Sequence, residues 1–259
     1  MILRERQDRI VRALRSGGAA SVRDLAQVLE VSESTIRRDL DILDRNGELT
    51  RTYGGAILRP RKTIIEAGDV AQVERAFEDT THLELKRAIA VRAAELVEDE
   101  AVVILDIGTT TPFLARELRG RPVTVITSNL AVLDELRDDT AVRLVMLGGV
   151  LRRNYRTLVG SLTELALTQV SADIVFLSCT GVRPSGHVVD DMAVEAPIKA
   201  SMIDAADRVV LLASEAKFPG TGALRLCSLA DVDVVITTAG ANDQTLNICR
   251  EAGGKVIVA

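Results

Sequence analysis

The chain has 259 residues, 47% of them hydrophobic and only 2% aromatic, with a formal net charge of −5. Such a length holds one small and one medium domain with separate cores, and a Val, Leu, Ile and Ala filling suits a buried parallel sheet. No apolar run approaches the ~18 residues of a membrane span, and the opening residues, with Arg4, Glu5, Arg6, Asp8 and Arg9, are too charged for a secretion signal. A cytoplasmic protein without a membrane partner is therefore expected.

The charge divides unevenly. Residues 1–62 carry 13 Lys and Arg against 9 Asp and Glu, net +4, whereas residues 63–259 carry 19 against 28, net −9. A basic head on an acidic body fits a nucleic-acid-binding module joined to a domain of another kind. Cys179, Cys227 and Cys249 have neither close pairing nor metal-ligand spacing, and His82 and His187 are isolated. The cysteines read as small buried residues; a zinc site or a Ser-His-Asp triad is poorly supported, and no metal or cofactor is expected.

In chain order, Ile10, Ala13 and Leu14 mark a first helix closed by Gly17-Gly18. Ser21 to Asp24 is a capping-box start for a short helix carrying Leu25, Ala26, Val28 and Leu29. A tight turn at Glu30-Val31 leads to Ser32–Leu43, where Ile36, Leu40 and Leu43 share one helical face. Ser32 is placed as its N-cap and Asn46-Gly47 as its stop. The other face carries Ser34, Arg37, Arg38, Asp41 and Arg45. Small hydroxyls followed by two arginines suit a recognition helix in the DNA major groove, since hydroxyls allow close approach and arginine bonds guanine edges or phosphates. An ordinary surface helix would show the same charges, but the alternating run Leu49 to Tyr53 with Gly54-Gly55 reads as a β wing beside it. Three helices and a wing make a winged helix-turn-helix over residues 1–57.

The segment 58–81 is a connector. It contains Arg59-Pro60-Arg61-Lys62, and Glu66–Asp79 fits either a flexible linker or an irregular helix. After a helix over Glu84–Val97, apolar runs at 101–105, 123–127, 142–147, 173–178, 209–213, 232–237 and 255–258 alternate with helical stretches. That alternation predicts an α/β domain, residues 82–259, with a mostly parallel sheet covered on both faces. Ligands in such domains bind beyond the carboxyl ends of the strands. There the chain places Asp106-Ile107-Gly108-Thr109-Thr110-Thr111-Pro112, Thr127-Ser128-Asn129, Gly148-Gly149 with Arg152, and Ser178 to Gly181. Pro112 suits the first helical position, with Thr111 as N-cap. Glycine and three threonines at a helix start offer amides and hydroxyls to an anion, although a well-capped turn would look alike. The loop is neither GxxxxGK[ST] nor GxGxxG, so nucleotide binding is not indicated. Together the strand ends outline a pocket for a phosphorylated, polyhydroxylated small molecule.

Val31-Ser32, the run Thr35-Ile36-Arg37-Arg38-Asp39-Leu40, Gly47, Arg51 and Gly54-Gly55-Ala56 resemble the N-terminal domain of the DeoR family of bacterial sugar-operon repressors. The downstream motifs resemble that family's sensor domain, whose fold is similar to ribose-5-phosphate isomerase. They are Asp106, Gly108, Thr109 and Thr110; Thr127, Ser128 and Asn129; Gly148 and Gly149; Glu195 and Lys199; and Ala216-Lys217-Phe218. The resemblance implies that the threonine loop, Thr111 included, holds phosphate while Asp106, Lys199 and Lys217 face sugar hydroxyls or phosphate. Arg152, Gly181 and Glu195 complete the expected effector site. Ser214, where the family usually has aspartate, and Thr180 depart from the pattern.

Taken together, these features imply a DNA-binding transcriptional regulator of carbohydrate genes, expected to be a repressor and not an enzyme. Ser32, Ser34, Thr35, Arg37 and Arg38 would face operator bases and phosphates; Arg51, Tyr53 and Gly54 would meet the backbone. One small head reads few bases, so a homo-oligomer, dimer or tetramer, is expected. The alternative is a sugar-phosphate isomerase-like enzyme with an appended DNA-binding domain, its base among Asp106, Asp190, Asp191 and Glu195. A third reading makes the head a protein-interaction module, against which its arginines and wing argue.

Overall fold

The computed structural model describes residues 6–7, 9–10, 13–14, 19–29, 31–45, 49–52, 54–58, 82–153 and 155–259. Expectations about Gly17-Gly18, Asn46-Gly47, Tyr53 and the connector beyond Leu58 lie outside them. The chain divides into two compact units, Met1–Glu66 and Ala67–Ala259.

In the first unit, the described residues between Arg6 and Leu14 are helical. Strand β1 (Ala19–Ser21) leads into helix α1 (Val22–Val28), whose N-cap Ser21 accepts from the Asp24 amide. Helix α2 (Glu33–Arg45) follows, then strands β2 (Leu49–Thr52) and β3 (Gly55–Leu58). The wing is a three-stranded antiparallel sheet in the order β1-β3-β2. Gly55 lies so close to β1 that a Cβ there would stand 2.3 Å from the Ala20 carbonyl oxygen. Ile10, Leu14, Leu25, Ile36, Leu40, Leu43 and Leu49 form the core, the α2 residues meeting it at the expected spacing. Val28, the last residue of α1, is 70% exposed, whereas Leu25, Ala26 and Leu29 are buried. Asp39 is buried on the core side, held by two guanidinium nitrogens of Arg6.

Among the described residues of the second unit, helix α3 (Leu83–Ala94) precedes a seven-stranded parallel sheet. Its strands are β4 (Val102–Leu105), β5 (Thr124–Thr127), β6 (Arg143–Met146), β9 (Ile174–Ser178), β12 (Val209–Leu212), β14 (Val234–Thr237) and β15 (Lys255–Val258). The order is β15-β14-β12-β9-β4-β5-β6. Alternate residues feed opposite faces: Ile104, Val175, Leu177 and Leu211 join one apolar cluster, while Val103, Leu105, Phe176 and Val210 join the other. That is the two-sided burial of a parallel sheet. Helices α4 (Thr111–Glu117), α5 (Leu130–Leu136), α6 (Ser161–Leu167), α7 (Ala196–Asp204) and α8 (Asp243–Glu251) connect the strands.

Two small antiparallel additions are not foreseen in the sequence. Strands β7 (Val150–Arg152) and β8 (Thr157–Val159) form a hairpin. Strands β10 (Gly181–Val182), β11 (His187–Asp190) and β13 (Leu224–Ser228) form a second sheet, with a bulge between Val188 and Val189. Thr111 also differs: it is the first residue of α4, and Thr110 occupies the cap without a side-chain capping bond. The Thr111 hydroxyl turns inward instead, donating to the carbonyls of Asp106 and Gly108 at 2.9 Å each.

Candidate functional site

On the head, α2 presents its polar start to solvent. Ser32 Oγ accepts from the Thr35 amide at 3.2 Å and lies 2.8 Å from the hydroxyls of both Ser34 and Thr35. The three hydroxyls therefore form one tethered group at the helix entry. Arg37 is bonded to Glu33 at 2.7 Å, one turn back. Arg38 is exposed and has no hydrogen-bond or ion-pair partner among the described residues. Arg51, on β2, is anchored to Asp41 of α2, which ties the wing to the helix. Gly54 turns between the wing strands with φ +96°, a left-handed backbone that glycine adopts cheaply. Arg38 is thus an uncommitted cation of this surface, while Arg37 and Arg51 are preorganised by carboxylates.

In the second unit the carboxyl ends of β4, β5 and β9 converge. Asp106, directly after β4, is fully buried. Its Oδ1 accepts from the Gly108 amide at 2.8 Å, and its Oδ2 accepts from the amide and hydroxyl of Ser178 at 2.7 Å each. Lys199, buried on α7, places Nζ 3.3 Å from Asp106 Oδ2 and 3.0 Å from Asp190 Oδ2. It also donates to the Ser178 carbonyl at 2.9 Å. Burial alone would release the lysine proton, but Asp106, Asp190 and Glu195 outweigh it and hold the ammonium charged well above its ordinary range. Burial pushes the Glu195 carboxyl up to about 7, against the pull of Lys199 and Arg152. Arg152 on β7 pairs with Glu195 and stacks 4.5 Å above the Tyr155 ring centroid.

A second hydrogen-bonded layer shapes the threonine loop. Thr127 donates to the Leu105 carbonyl at 2.7 Å and accepts from the Asn129 amide at 3.1 Å. Asn129 caps α5 through the Ala131 amide at 2.9 Å and donates to the Gly108 carbonyl at 3.2 Å. Ser128 accepts from the Leu158 amide of the β7–β8 hairpin through its carbonyl, while its own hydroxyl and that of Thr157 are buried without partners among the described residues. Gly108 is required here, since a Cβ would stand 2.1 Å from Ser178 Oγ. Gly148 accepts from the Thr163 hydroxyl at 2.7 Å, and that hydroxyl leaves no room for a side chain on Gly149. Gly181 packs directly against Gly220.

The structure therefore joins Asp106, Gly108, Thr111, Thr127, Asn129 and Lys199 through hydrogen bonds, and Arg152 with Glu195. Thr109 and Thr110 are half-exposed, and their amides and hydroxyls have no partner among the described residues. Lys217 is half-buried in a short turn, Glu215–Lys217, that follows β12. Its charge acts on the Cys179 thiol together with Lys199, Asp190 and Asp106, while burial pushes that thiol up to about 12. Sequence reasoning missed Ser178 and Asp190 as partners of Lys199. The signals were a polar residue at the end of each strand, legible for Ser178 and hidden for Asp190 by its very short sheet.

The Thr109–Thr110 loop, whose donors have no partner among the described residues, lies at the end of the strand that carries the buried Asp106–Lys199–Asp190 cluster. Residues 6–61 match the DeoR-like helix-turn-helix domain, and residues 81–239 match the DeoR C-terminal sensor domain. The chain is 32% identical to a putative aga operon transcriptional repressor of Escherichia coli O157:H7, over 98% of this chain and 93% of that protein. It is 29% identical to an L-fucose operon activator of Haemophilus influenzae, over 95% of this chain and 96% of that protein. Among solved structures, ribose 5-phosphate isomerase A of Methanocaldococcus jannaschii is similar over 52% of this chain and 53% of its own, at 20% identity and a TM-score of 0.38, too slight a likeness to assign any residue. With both of its domain models matched in order along one chain, the protein belongs to the DeoR family of helix-turn-helix transcriptional regulators.

Proposed function

We propose that this protein regulates carbohydrate genes, acting as a repressor whose hold on operator DNA is set by a phosphorylated sugar in the second unit. Residues 1–57 would serve as the DNA-reading head, 58–81 as the connector and 82–259 as the sensor. On the head, Ser32, Ser34, Thr35 and Arg38 would meet bases and nearby phosphates. Arg37, Arg51, Tyr53 and Gly54 would set the approach to the DNA backbone. Operator binding would be as a homo-oligomer, since a single head has a small footprint, and its place would be the cytoplasm.

In the sensor, the observation that carries the reading is the threonine loop. The amides and hydroxyls of Thr109 and Thr110, without partners among the described residues, would supply a cradle for phosphate, and Gly108 lets the loop pack directly against Ser178. Thr111, Thr127, Ser128 and Asn129 would position that loop from behind rather than touch the ligand. Asp106 and Lys199 would orient sugar hydroxyls only where their mutual bonds leave an atom free. Lys217, Arg152, Glu195, Gly148, Gly149 and Gly181 would border the same pocket. Of the four carboxylates that an isomerase could use as a base, the three buried ones are engaged, Asp106 and Asp190 by Lys199 and Glu195 by Arg152, and only the exposed Asp191 has no side-chain partner among the described residues, which supports a sensor over an enzyme.

Thermal unfolding against a panel of sugar phosphates, with free sugars and inorganic phosphate as controls, tests the sensor half. At about 100 times its dissociation constant the effector adds roughly 2.7 kcal/mol to the domain it binds. A shift with one phosphorylated sugar but not its free form is the expected result. No shift with any phosphate would reduce the Thr109–Thr110 loop to a capped turn.

A further inference from the structure

Among the described residues, three of the exposed large apolar side chains fall within residues 151–165: Leu151 at 41%, Leu162 at 49% and Leu165 at 61%. They lie on the β7–β8 hairpin and on α6, which starts just beyond Gly160. Leu151 stands directly opposite Leu158 in the hairpin register, so both side chains leave the same face of the two strands. The other face carries Arg152 and Thr157, both buried, with Arg152 paired to Glu195. Leu162 and Leu165, three residues apart, share one side of α6, whereas Thr163 and Leu167 turn into the core. Scattered apolar residues need no explanation, but three exposed leucines in one short stretch, with the half-buried Leu158 beside Leu151, do.

The margins of this patch point to its occupant. Arg153 is exposed and Glu164 is half-buried, and neither has a hydrogen-bond or ion-pair partner among the described residues. In a two-fold contact the same patch meets itself, so that residue i of one copy faces residue j of the other, and the reverse. A leucine surface flanked by one unpaired cation and one unpaired anion is complementary to its own copy. An acidic, a basic or a lipid partner would leave one of the two charges unmatched.

We infer that Leu151, Leu158, Leu162 and Leu165 form the contact between two copies of the sensor domain, with Arg153 of each copy facing Glu164 of the other. This adds a surface to the regulator reading, and its test involves neither DNA nor effector, so either idea can fail alone. Sedimentation velocity of the full chain is the measurement. The wild-type protein is expected to sediment with at least twice the mass of one chain. L162E/L165E should fall to half the wild-type assembly mass or less, while V91E, which alters an exposed apolar residue on α3, should keep it. R153E and E164R should each weaken association severalfold, and the double exchange R153E/E164R should restore it. A wild-type monomer, an unchanged mass in L162E/L165E or an equal loss in V91E overturns the inference. Should the leucine variant fail to fold, absence of restoration in the double exchange overturns it as well.

Discussion

Arg37 and Arg38 are adjacent, yet only one of them is free. Arg37 donates to Glu33, while Arg38 is exposed without a partner among the described residues. Replacing Arg38 by alanine is expected to cost about 1–3 kcal/mol of operator affinity, roughly five- to 150-fold, with unchanged unfolding. Arg37→Ala should cost less, because its side chain is already committed. Fluorescence anisotropy with labelled duplex compares the two, and equal affinities for Arg38→Ala and wild type would remove α2 from the groove. Glu195 carries a second residue-scale prediction. Its carboxyl lies at about 7 in the folded protein against an ordinary 4.5, so between those values the native state binds the extra proton. Its contribution to stability is therefore full below about 4.5 and is lost as pH rises through about 7, on the order of 3 kcal/mol at most. Denaturant unfolding of Glu195→Gln should show a flatter pH dependence across that window; an unaltered slope would place the proton elsewhere. At this scale the sequence revealed the residue types but not their pairing. Lys199 meets Asp106 and Asp190, and Asp39 meets Arg6, across intervals that no local spacing encodes.

The long elements were legible and the short ones were not. All seven strands of the parallel sheet appear as apolar runs, since a strand buried on both faces needs no alternation. Helix α2 was equally plain, because its core face repeats and Ser32 caps it. Strands of two or three residues, such as β1, β7, β8 and β10, are too short to show a period: β7 with β8 and β10 with β11 form by local antiparallel pairing, and β1 by pairing with the distant β3. The one-residue displacement of the α4 start has a specific cause. Thr111 bonds the carbonyls of Asp106 and Gly108, so it turns inward and the cap moves to Thr110. Asn129 works in a similar way at the start of α5, capping it while bracing the Gly108 carbonyl. Asn129→Ala is predicted to lower sensor stability by about 1–2 kcal/mol. It should also weaken effector binding without touching the ligand. Calorimetric unfolding and ligand titration read the two effects, and stability loss with intact affinity would separate the cap from the loop.

Over the whole molecule, the division of charge into a basic head and an acidic body was visible in composition alone. It assigns the phosphate contacts to the head, so affinity for duplex DNA should fall steeply and log-linearly with salt. The family relationship gives the order of the two domains, and under the proposed function Thr109 and Thr110 would be where the sensor receives an anion. In the proposed function an equilibrium between two states would link them, and an effector could move it only by binding one state better than the other. The regulator reading stands on this coupling. Duplexes selected from a random library by the full-length protein supply an operator, and its affinity can then be titrated with phosphorylated sugars. One sugar phosphate is expected to change that affinity at least about fivefold, while its free sugar does not. Selection of no sequence, or an affinity unmoved across the panel, would contradict the coupling.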